Sequence, residues 1–388
     1  MAIAINNTPV DYSSLNGDLI FTAYESVKAA DPVTYPGYKY ICDVYVGGVL
    51  VTRLKSNPDP VYKRGFFNIA RSVRNYISFQ FNPSSGFNPQ SLGSGEFYLS
   101  IQCQFGEEYG GTLYTNLTTD SSRLFYNHYN GRLTTTDTIL SSYLDKPASN
   151  SPSIKYVNFG GKCFIPYFAT TTGSITISAN YFNASGTSLA TASATVSVTA
   201  NKLSIFDIGS LGMNALMSYS ITTAVDHYTV TINGYTYTVY IYCEVKYTPY
   251  TIHFLNKLGG FESFDFRKVS RKTLGIEKKQ FQQQAYRMDS SGAVSLRTSN
   301  GVMNDTDTTY SVSFKEKMKL FADITTDTQY QWLAELVTSP IIYFDDNGTL
   351  VPVTISNTDY EFKKVINDKI TSLSIDIEFG KALNTQYR

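Results

Sequence analysis

Apolar and polar side chains alternate along much of this sequence, and the period of two predicts β-strands. From Phe97 to Phe105 every second residue is apolar, and the residues between them are Tyr, Ser and Gln. This pattern is typical of a strand with one buried face and one face in solvent. Two other pairs of strand-like runs are joined by Gly47-Gly48 and Asn233-Gly234, which supply the positive φ of a tight turn. Antiparallel hairpins are therefore the dominant prediction.

Two segments show a helical period instead. A short helix is predicted over 67–76, where apolar residues recur four positions apart. A clearer helix is predicted near 327–337, because Thr326 and Gln329 have the spacing of a capping box and apolar residues then recur along one face. Three more strands are expected after this helix.

Changes in composition along the chain predict its domain organisation. A short Pro- and Ser-containing linker lies at 145–152, and some seven short strands are expected over 154–245, as in an immunoglobulin-like sandwich. The expected fold class is mainly β, with tandem β-sandwich or immunoglobulin-like domains and one or two short helices. The predicted domains are an N-terminal β-rich domain (1–150), an immunoglobulin-like sandwich (151–248) and a C-terminal β domain with the helix (249–388).

The composition excludes a disordered chain and argues against a free nucleic-acid binder. Aromatic residues make up 14% of the sequence and charged residues 16%, with 32 basic and 32 acidic side chains. Disorder requires few aromatics and a high net charge, and nucleic-acid binders normally carry a basic excess.

The deficit of charge is concentrated before residue 250. The run from Cys163 to Asn201 has no charged side chain although it reads as strands, which normally carry charges that prevent edge-to-edge pairing. Two explanations stay open: partner subunits cover these strands, which we favour, or dense hydroxyl and amide groups keep them soluble.

Nothing near Met1 resembles a signal peptide, and no window is long and apolar enough for a membrane helix. The four cysteines are far apart and form no Cys-x-x-Cys pair, so we expect buried free thiols in a reducing cytoplasm. They are Cys42, Cys103, Cys163 and Cys243.

The sequence offers little support for catalysis, metal binding or a cofactor. His128, His227 and His253 lie in strand-like or turn-like aromatic contexts with no nucleophile motif beside them, so a structural role is expected for each. The acidic pairs Glu107-Glu108 and Asp345-Asp346 precede glycine turns, and adjacent strand residues point to opposite faces. A faint calcium-loop pattern at 304–307 lacks the central Gly and the distal Glu. No catalytic residue, metal or cofactor is expected.

One basic cluster is a candidate for contact with DNA phosphates or with an acidic neighbouring subunit, although a solvated loop is the simpler interpretation. Its members are Arg267, Lys268, Arg271, Lys272, Lys278 and Lys279.

The segment 250–264, which contains Phe254-Leu255-Asn256-Lys257-Leu258-Gly259-Gly260-Phe261-Glu262, resembles virion and tail proteins of tailed phages of Bacteroides-type bacteria, including the crAss-like phages. The same proteins often show a Trp-Leu helix, a Ser-Pro pair before an aromatic strand, and a Pro-Val strand. Here these features are Trp332-Leu333, Ser339-Pro340, Ile342-Tyr343-Phe344 and Val351-Pro352-Val353. The matches extend from about Lys246 to Phe379.

The resemblance implies a non-enzymatic structural subunit of a phage tail or neck that forms a cyclic ring in the DNA-conducting tail. It implies contacts with copies of itself and with neighbouring portal, tail or ring proteins, a possible passing contact with genomic DNA, and no membrane. The protein would be made in the bacterial host cytoplasm and located in the virion. No binding residue is carried over, since the motif is known as a fold pattern.

Two alternatives remain open at the level of sequence. A carbohydrate-binding receptor protein or adhesin is the first, because Tyr, Asn and Asp in sandwich loops can bind sugars. It is weakened by the single Trp, which lies on the predicted helix. A glycoside hydrolase is the second, but no carboxylate pair is a convincing candidate.

Overall fold

The computed structural model describes residues 3–129, 139–242, 246–299, 302–303, 307–324, 326–356, 371–380 and 383–387. Strands account for 53% of the structure and helices for 10%, so the predicted fold class, mainly β with sandwich domains, is confirmed. The chain divides into two compact units. The first comprises Met1–Glu244 and His253–Phe264, and the second comprises Val245–Ile252 and Asp265–Arg388. The domain boundaries at 150 and 248 stay predictions.

The first part of unit 1 is a β-sandwich. One sheet has the order β1-β2-β5, and the other has the order β4-β3-β7-β8 with β9 also on β7. Side chains of both sheets share one core that includes Phe21, Tyr40, Phe67 and Phe105. Its strands are β1 (Ala4–Asn7), β2 (Ile20–Tyr24), β3 (Lys39–Val46), β4 (Val49–Ser56), β5 (Arg64–Asn68), β7 (Tyr98–Tyr109), β8 (Thr112–Thr119) and β9 (Arg123–Tyr126), and β6 (Gln90–Leu92) lies between β5 and β7 in sequence.

The second part of unit 1 is also a sandwich. A five-stranded sheet, β11-β17-β16-β13-β14, shares a core with a four-stranded sheet, β10-β12-β15-β6. Strand β6 therefore joins the second sandwich although it precedes the first sandwich's β7. The strands are β10 (Lys146–Pro147), β11 (Ile154–Asn158), β12 (Phe164–Phe168), β13 (Gly173–Phe182), β14 (Ser188–Val198), β15 (Leu203–Asp207), β16 (His227–Ile232) and β17 (Tyr235–Tyr242).

The remaining strands include an eight-stranded sheet of order β19-β18-β26-β27-β28-β25-β20, with β29 also on β25. Two short hairpins, β21-β22 and β23-β24, lie between β20 and β25 in sequence. The strands are β18 (Tyr250–Leu255), β19 (Phe261–Phe266), β20 (Arg271–Gln282), β21 (Tyr286–Met288), β22 (Val294–Leu296), β23 (Thr298–Ser299), β24 (Val302–Met303), β25 (Asp307–Ile324), β26 (Ile342–Asp346), β27 (Thr349–Ile355), β28 (Thr371–Phe379) and β29 (Leu383–Tyr387).

Three short α-helices are present among the described residues: α1 (Ala70–Val73), α2 (Ser210–Leu216) and α3 (Asp327–Thr338). Helix α1 and the 3₁₀ turn after it, Arg74–Tyr76, lie within the predicted helical segment, whereas α2 was not predicted. Short 3₁₀ turns also occupy Lys28–Ala30 and Ile139–Tyr143. At the start of α3 the Thr326 hydroxyl accepts a hydrogen bond from the backbone N–H of Gln329 at 3.1 Å, as the capping pattern predicts.

The turn between β18 and β19 is organised by the side chain of Asn256, which is 4% exposed. Its Oδ1 accepts hydrogen bonds from the backbone N–H groups of Leu258 and Gly260, each at 3.0 Å. Its Nδ2 donates to the carbonyl of Ala148 at 2.8 Å and to Oε1 of Glu262 at 3.2 Å. One amide thus shapes the turn and ties it to the residue that follows β10 of the second sandwich.

Two glycines let this turn approach its neighbours within unit 1. Gly259 has φ of +87°, and a Cβ there would lie 2.3 Å from the carbonyl oxygen of Asn127. A Cβ on Gly260 would lie 2.2 Å from Cβ of Pro166 on β12. Real Cβ atoms do not approach other atoms so closely, so both positions require glycine. The Leu-Gly-Gly sequence is therefore a packing requirement of this turn.

We expect Asn256→Ala to lower the free energy of unfolding by about 3–4 kcal/mol, because it removes the hydrogen bonds that the Asn256 amide makes to the buried backbone groups of Ala148, Leu258 and Gly260. Asn183→Ala is the matched control. Asn183 also accepts backbone hydrogen bonds, from Ser185 and Thr187, but in an exposed turn, so its loss should cost no more than about 1 kcal/mol. Urea unfolding of the two variants measures the difference, and equal losses would contradict the role assigned to Asn256.

Candidate functional site: exposed β surfaces and buried polar groups

The outer surface of the five-stranded sheet is covered by hydroxyl and amide side chains, and we call it the hydroxyl face. The pairing register places Ser178 beside Ser193 on one side and Thr231 on the other, and Asn180 beside Thr191 and Thr229. A shallow groove of about 360 Å³ lies among these six side chains. The face also includes Ser174, Thr176, Thr195, Ser197, Thr236 and Thr238.

Half-buried aromatic rings adjoin the hydroxyl face on β11 and β17. Tyr156 stacks on Tyr240 and on Tyr242, with ring centroids 5.5 and 5.6 Å apart. His227 lies between Phe182 and Tyr240, at centroid distances of 4.9 and 5.0 Å. The outer face of β17 is thus aromatic at one end and carries threonines at the other.

The uncharged run from Cys163 to Asn201 contributes both to the core and to the hydroxyl face. Strand β12 is buried along its length, whereas on β14 the exposed residues Thr191, Ser193, Thr195 and Ser197 alternate with alanines and valines that face the core. Hydroxyl groups therefore supply the polar surface here.

The candidate basic residues fall into three locations. Arg267 and Lys268 lie in the connection between β19 and β20, where Lys268 forms an ion pair with Asp323. The other four lie on β20, which is a strand and not a loop, and alternation sends Arg271 and Lys279 to one face and Lys272 and Lys278 to the other.

The face of Arg271 and Lys279 gains three lysines from the neighbouring strand, and we call it the basic face. Register places Lys315, Lys317 and Lys319 of β25 on this side. Lys317 forms an ion pair with Glu378, and Lys319 lies 3.9 Å from Asp376. Within the part of the chain that the structure describes, Arg271, Lys279 and Lys315 have no ion-pair partner. Sequence reasoning missed the three lysines of β25, although their Lys-x-Lys-x-Lys spacing was a visible signal.

The opposite side of the same strands carries apolar residues together with Lys272, Lys278 and Glu316, and we call it the apolar face. Ile276 lies opposite Phe314, Leu274 opposite Glu316, and Lys272 opposite Met318. Met318 is buried, but Leu274 is 57% and Ile276 59% exposed, and no residue of β20 is buried. The apolar face is therefore buried at Met318 and exposed to solvent at Leu274 and Ile276.

The three histidines are not brought together, and two of them are buried. His128 and His253 are almost fully inaccessible, and Nδ1 of His253 lies 2.8 Å from the hydroxyl of Ser263. His227 is partly exposed, and its Nδ1 lies 2.9 Å from a carboxylate oxygen of Asp226. The structure thus gives each histidine a different environment.

The acidic pairs point apart, as strand geometry predicts. Glu107 is buried and forms an ion pair with Lys28, whereas Glu108 forms one with Lys55. The carboxylate of Asp345 accepts the backbone N–H of Gly348 at 2.6 Å and so closes the turn. The calcium-like segment 304–307 lies mostly outside the described residues. Among the described residues no three His, Cys, Asp or Glu side chains are grouped as metal ligands.

Two buried polar groups were missed by sequence reasoning. The Asp207 carboxylate accepts backbone hydrogen bonds from Cys163 at 2.8 Å and Gly209 at 2.9 Å, and burial raises its pKa to about 6. Lys155 is fully enclosed, so burial lowers its pKa while the negative charge of Glu262 opposes that shift. Neither group shows a distinctive sequence pattern, because burial of this kind depends on tertiary packing.

Cys42, Cys103 and Cys163 are buried free thiols, while Cys243 lies outside the described residues. None of the described helices has the length and apolar character needed to cross a bilayer.

No protein-family model matches the chain, and no curated protein sequence matches it. The resemblance to phage tail proteins therefore stays a prediction carried by the motifs themselves.

The raised pKa of Asp207 predicts a pH-dependent contribution to stability. Between its ordinary value of 3.8 and about 6, the folded state binds a proton more tightly than the unfolded state, so stability falls as pH rises through this window. A shift of two units corresponds to about 3 kcal/mol.

We expect Asp207→Asn to remove this loss. Urea unfolding of both proteins at intervals from pH 4 to pH 7 isolates the effect, because the other acids cancel in the difference. The wild type should lose about 2–2.5 kcal/mol more than the variant over that range, because part of the total is already lost at pH 4; parallel stability curves would refute the assignment.

Proposed function

We propose that this protein is a non-enzymatic structural subunit of a bacteriophage tail or neck, and that it assembles with copies of itself into a ring. The family motif supports the proposal as a fold element, since Asn256, Gly259 and Gly260 have packing roles. The proposed location is the virion, beside portal, tail or ring proteins.

The observation that carries the proposal is the exposed continuation of the apolar face. Leu274 and Ile276 extend a surface whose other end, at Met318, is buried. Exposed apolar patches that continue a core commonly mark contacts between protein subunits. In a ring each subunit offers this surface to a different surface of its neighbour, and closure leaves none uncovered.

A contact between the basic face and passing genomic DNA is the second element of this proposal. Three cations on that face, Arg271, Lys279 and Lys315, are without an ion-pair partner among the described residues. The acids on the same face of the two strands include Glu277 of β20 and Asp323 of β25, which is paired with Lys268. Such a contact would be electrostatic and independent of the base sequence of the DNA.

A second candidate function is carbohydrate binding, which the hydroxyl-lined groove and the Tyr156, Tyr240 and Tyr242 rings favour. Against it, the lone Trp332 is buried on α3. Specific binding by the isolated protein on a glycan array would favour this candidate over the structural one.

We expect the wild-type protein to form a closed oligomer several times its subunit mass of 43.3 kDa, and Leu274→Ser with Ile276→Ser to shift it toward the monomer because the exposed apolar surface is lost. The control is Val33→Ser with Val61→Ser, which changes exposed apolar residues elsewhere. Light scattering across a concentration series measures the mass. A wild-type protein that stays a 43.3 kDa monomer at high concentration would contradict ring assembly.

Charge reversal on one strand tests the DNA contact. We expect Arg271→Glu with Lys279→Glu to reduce the amount of DNA that the assembled protein retains, since both residues lie on the basic face. The retention that is left should also depend less on salt concentration. Arg71→Glu with Lys146→Glu makes the same change of charge at exposed positions outside β20 and β25, and this variant should retain DNA nearly as the wild type does. Equal DNA retention by both variants and the wild type would contradict the proposed contact with DNA.

A further inference from the structure

Strand β14 is an edge strand without the usual protection. It ends the five-stranded sheet, and among the described residues it pairs on one side only, with β13. Edge strands are normally short, charged, bulged or interrupted by proline. Here the strand has eleven residues with no charge and no proline, and the irregularity in its register lies at the hairpin end, beside Tyr181 and Phe182.

The centre of β14 is a palindrome, Thr191-Ala192-Ser193-Ala194-Thr195. If two copies of the strand paired antiparallel about a two-fold axis at Ser193, each Thr191 would lie opposite Thr195 and each Ala192 opposite Ala194. Directly opposite residues share a face. The hydroxyls would therefore meet on the exposed side, and the methyl groups on the side of the core.

We propose that β14 is a site of strand addition for a second copy of this chain, paired antiparallel and centred on Ser193. The contact joins two five-stranded sheets into one continuous sheet and adds about ten backbone hydrogen bonds. It also covers Ala190, Ala192 and Ala194, which are only partly buried at the margin of the core.

Charge favours a second copy as the partner. A two-fold contact places every residue near its own counterpart, so a charged edge would repel itself, whereas an uncharged one does not. No residue from Gly173 to Val198 carries a charge. The palindrome places identical residues opposite one another only when β14 pairs with β14 of a second copy. Pairing with a strand of a different protein would not require it.

Matched charge variants test this register. Thr191 and Thr195 are both exposed, so their replacement leaves the core intact. Thr191→Lys with Thr195→Lys places lysine opposite lysine twice and should weaken the two-fold contact roughly tenfold. Thr191→Lys with Thr195→Glu places lysine opposite glutamate twice and should retain the contact. Sedimentation equilibrium of the full chain gives the dissociation constants, with circular dichroism to verify folding.

Cysteine cross-linking gives an independent readout. Ser193→Cys brings the two sulfurs together across the axis, since opposite Cα atoms in an antiparallel pair are about 4.5–5.5 Å apart, within disulfide range. We expect mild oxidation to link Ser193→Cys into dimers, but to link neither Thr191→Cys nor the wild type, whose native cysteines provide the background. Thr191→Cys with Thr195→Cys should link again.

The proposal is overturned if Ser193→Cys links no faster than Thr191→Cys, or if the two charge variants associate equally. Neither result bears on the ring, because the Leu274 and Ile276 variant tests that contact separately.

Discussion

The hydrogen bonds of Asn256 are the interaction on which the architecture of unit 1 depends most. Its amide closes the turn between β18 and β19 and binds the Ala148 carbonyl, while the adjacent glycines contact Asn127 and Pro166. Phe261, which follows the glycines, stacks on Phe81 with a centroid distance of 3.8 Å. The segment 256–261 therefore packs against both sandwiches of unit 1, although it is distant from them in sequence. Asn256 and the two glycines are therefore the residues that this turn requires.

The scarcity of charge follows from the way the second sandwich presents its polar groups. Serine, threonine and one asparagine on alternating positions of β13 and β14 give the sheet a hydrated outer face, while apolar residues face the core. Hydroxyl groups hydrate a surface but do not repel another copy of it. Hydroxyl groups in place of charged groups can hydrate the outer face, and they also leave the edge of the sheet free of repulsion. Solubility through hydroxyl groups and coverage by a partner subunit are therefore compatible explanations of the uncharged run.

Sequence patterns predicted the elements whose signals are local. The Asn233-Gly234 hairpin, the Thr326 cap and the strand from Phe97 to Phe105 depend on neighbours in sequence, and each is found, the strand as part of β7. The basic cluster shows where this reasoning stops, because Arg271 and Lys272 are adjacent in sequence yet point to opposite faces, and the lysines beside Arg271 come from β25. Pairing between distant strands, like the burial of Asp207, is decided by tertiary packing.

Symmetry separates the two proposed contacts. A ring of more than two subunits needs a heterologous contact, in which one surface meets a different surface of the next copy. Equal residues of the β14 palindrome face each other only in an isologous contact, in which both copies use the same surface. Pairing through β14 would therefore join copies two by two and could not by itself continue around a ring. The apolar face of β20 and β25 has no such internal symmetry, since Leu274 lies opposite Glu316 and Ile276 opposite Phe314. If both proposals hold, the ring contact therefore belongs to that face, and the β14 edge pairs subunits two by two, either before a ring forms or between two rings.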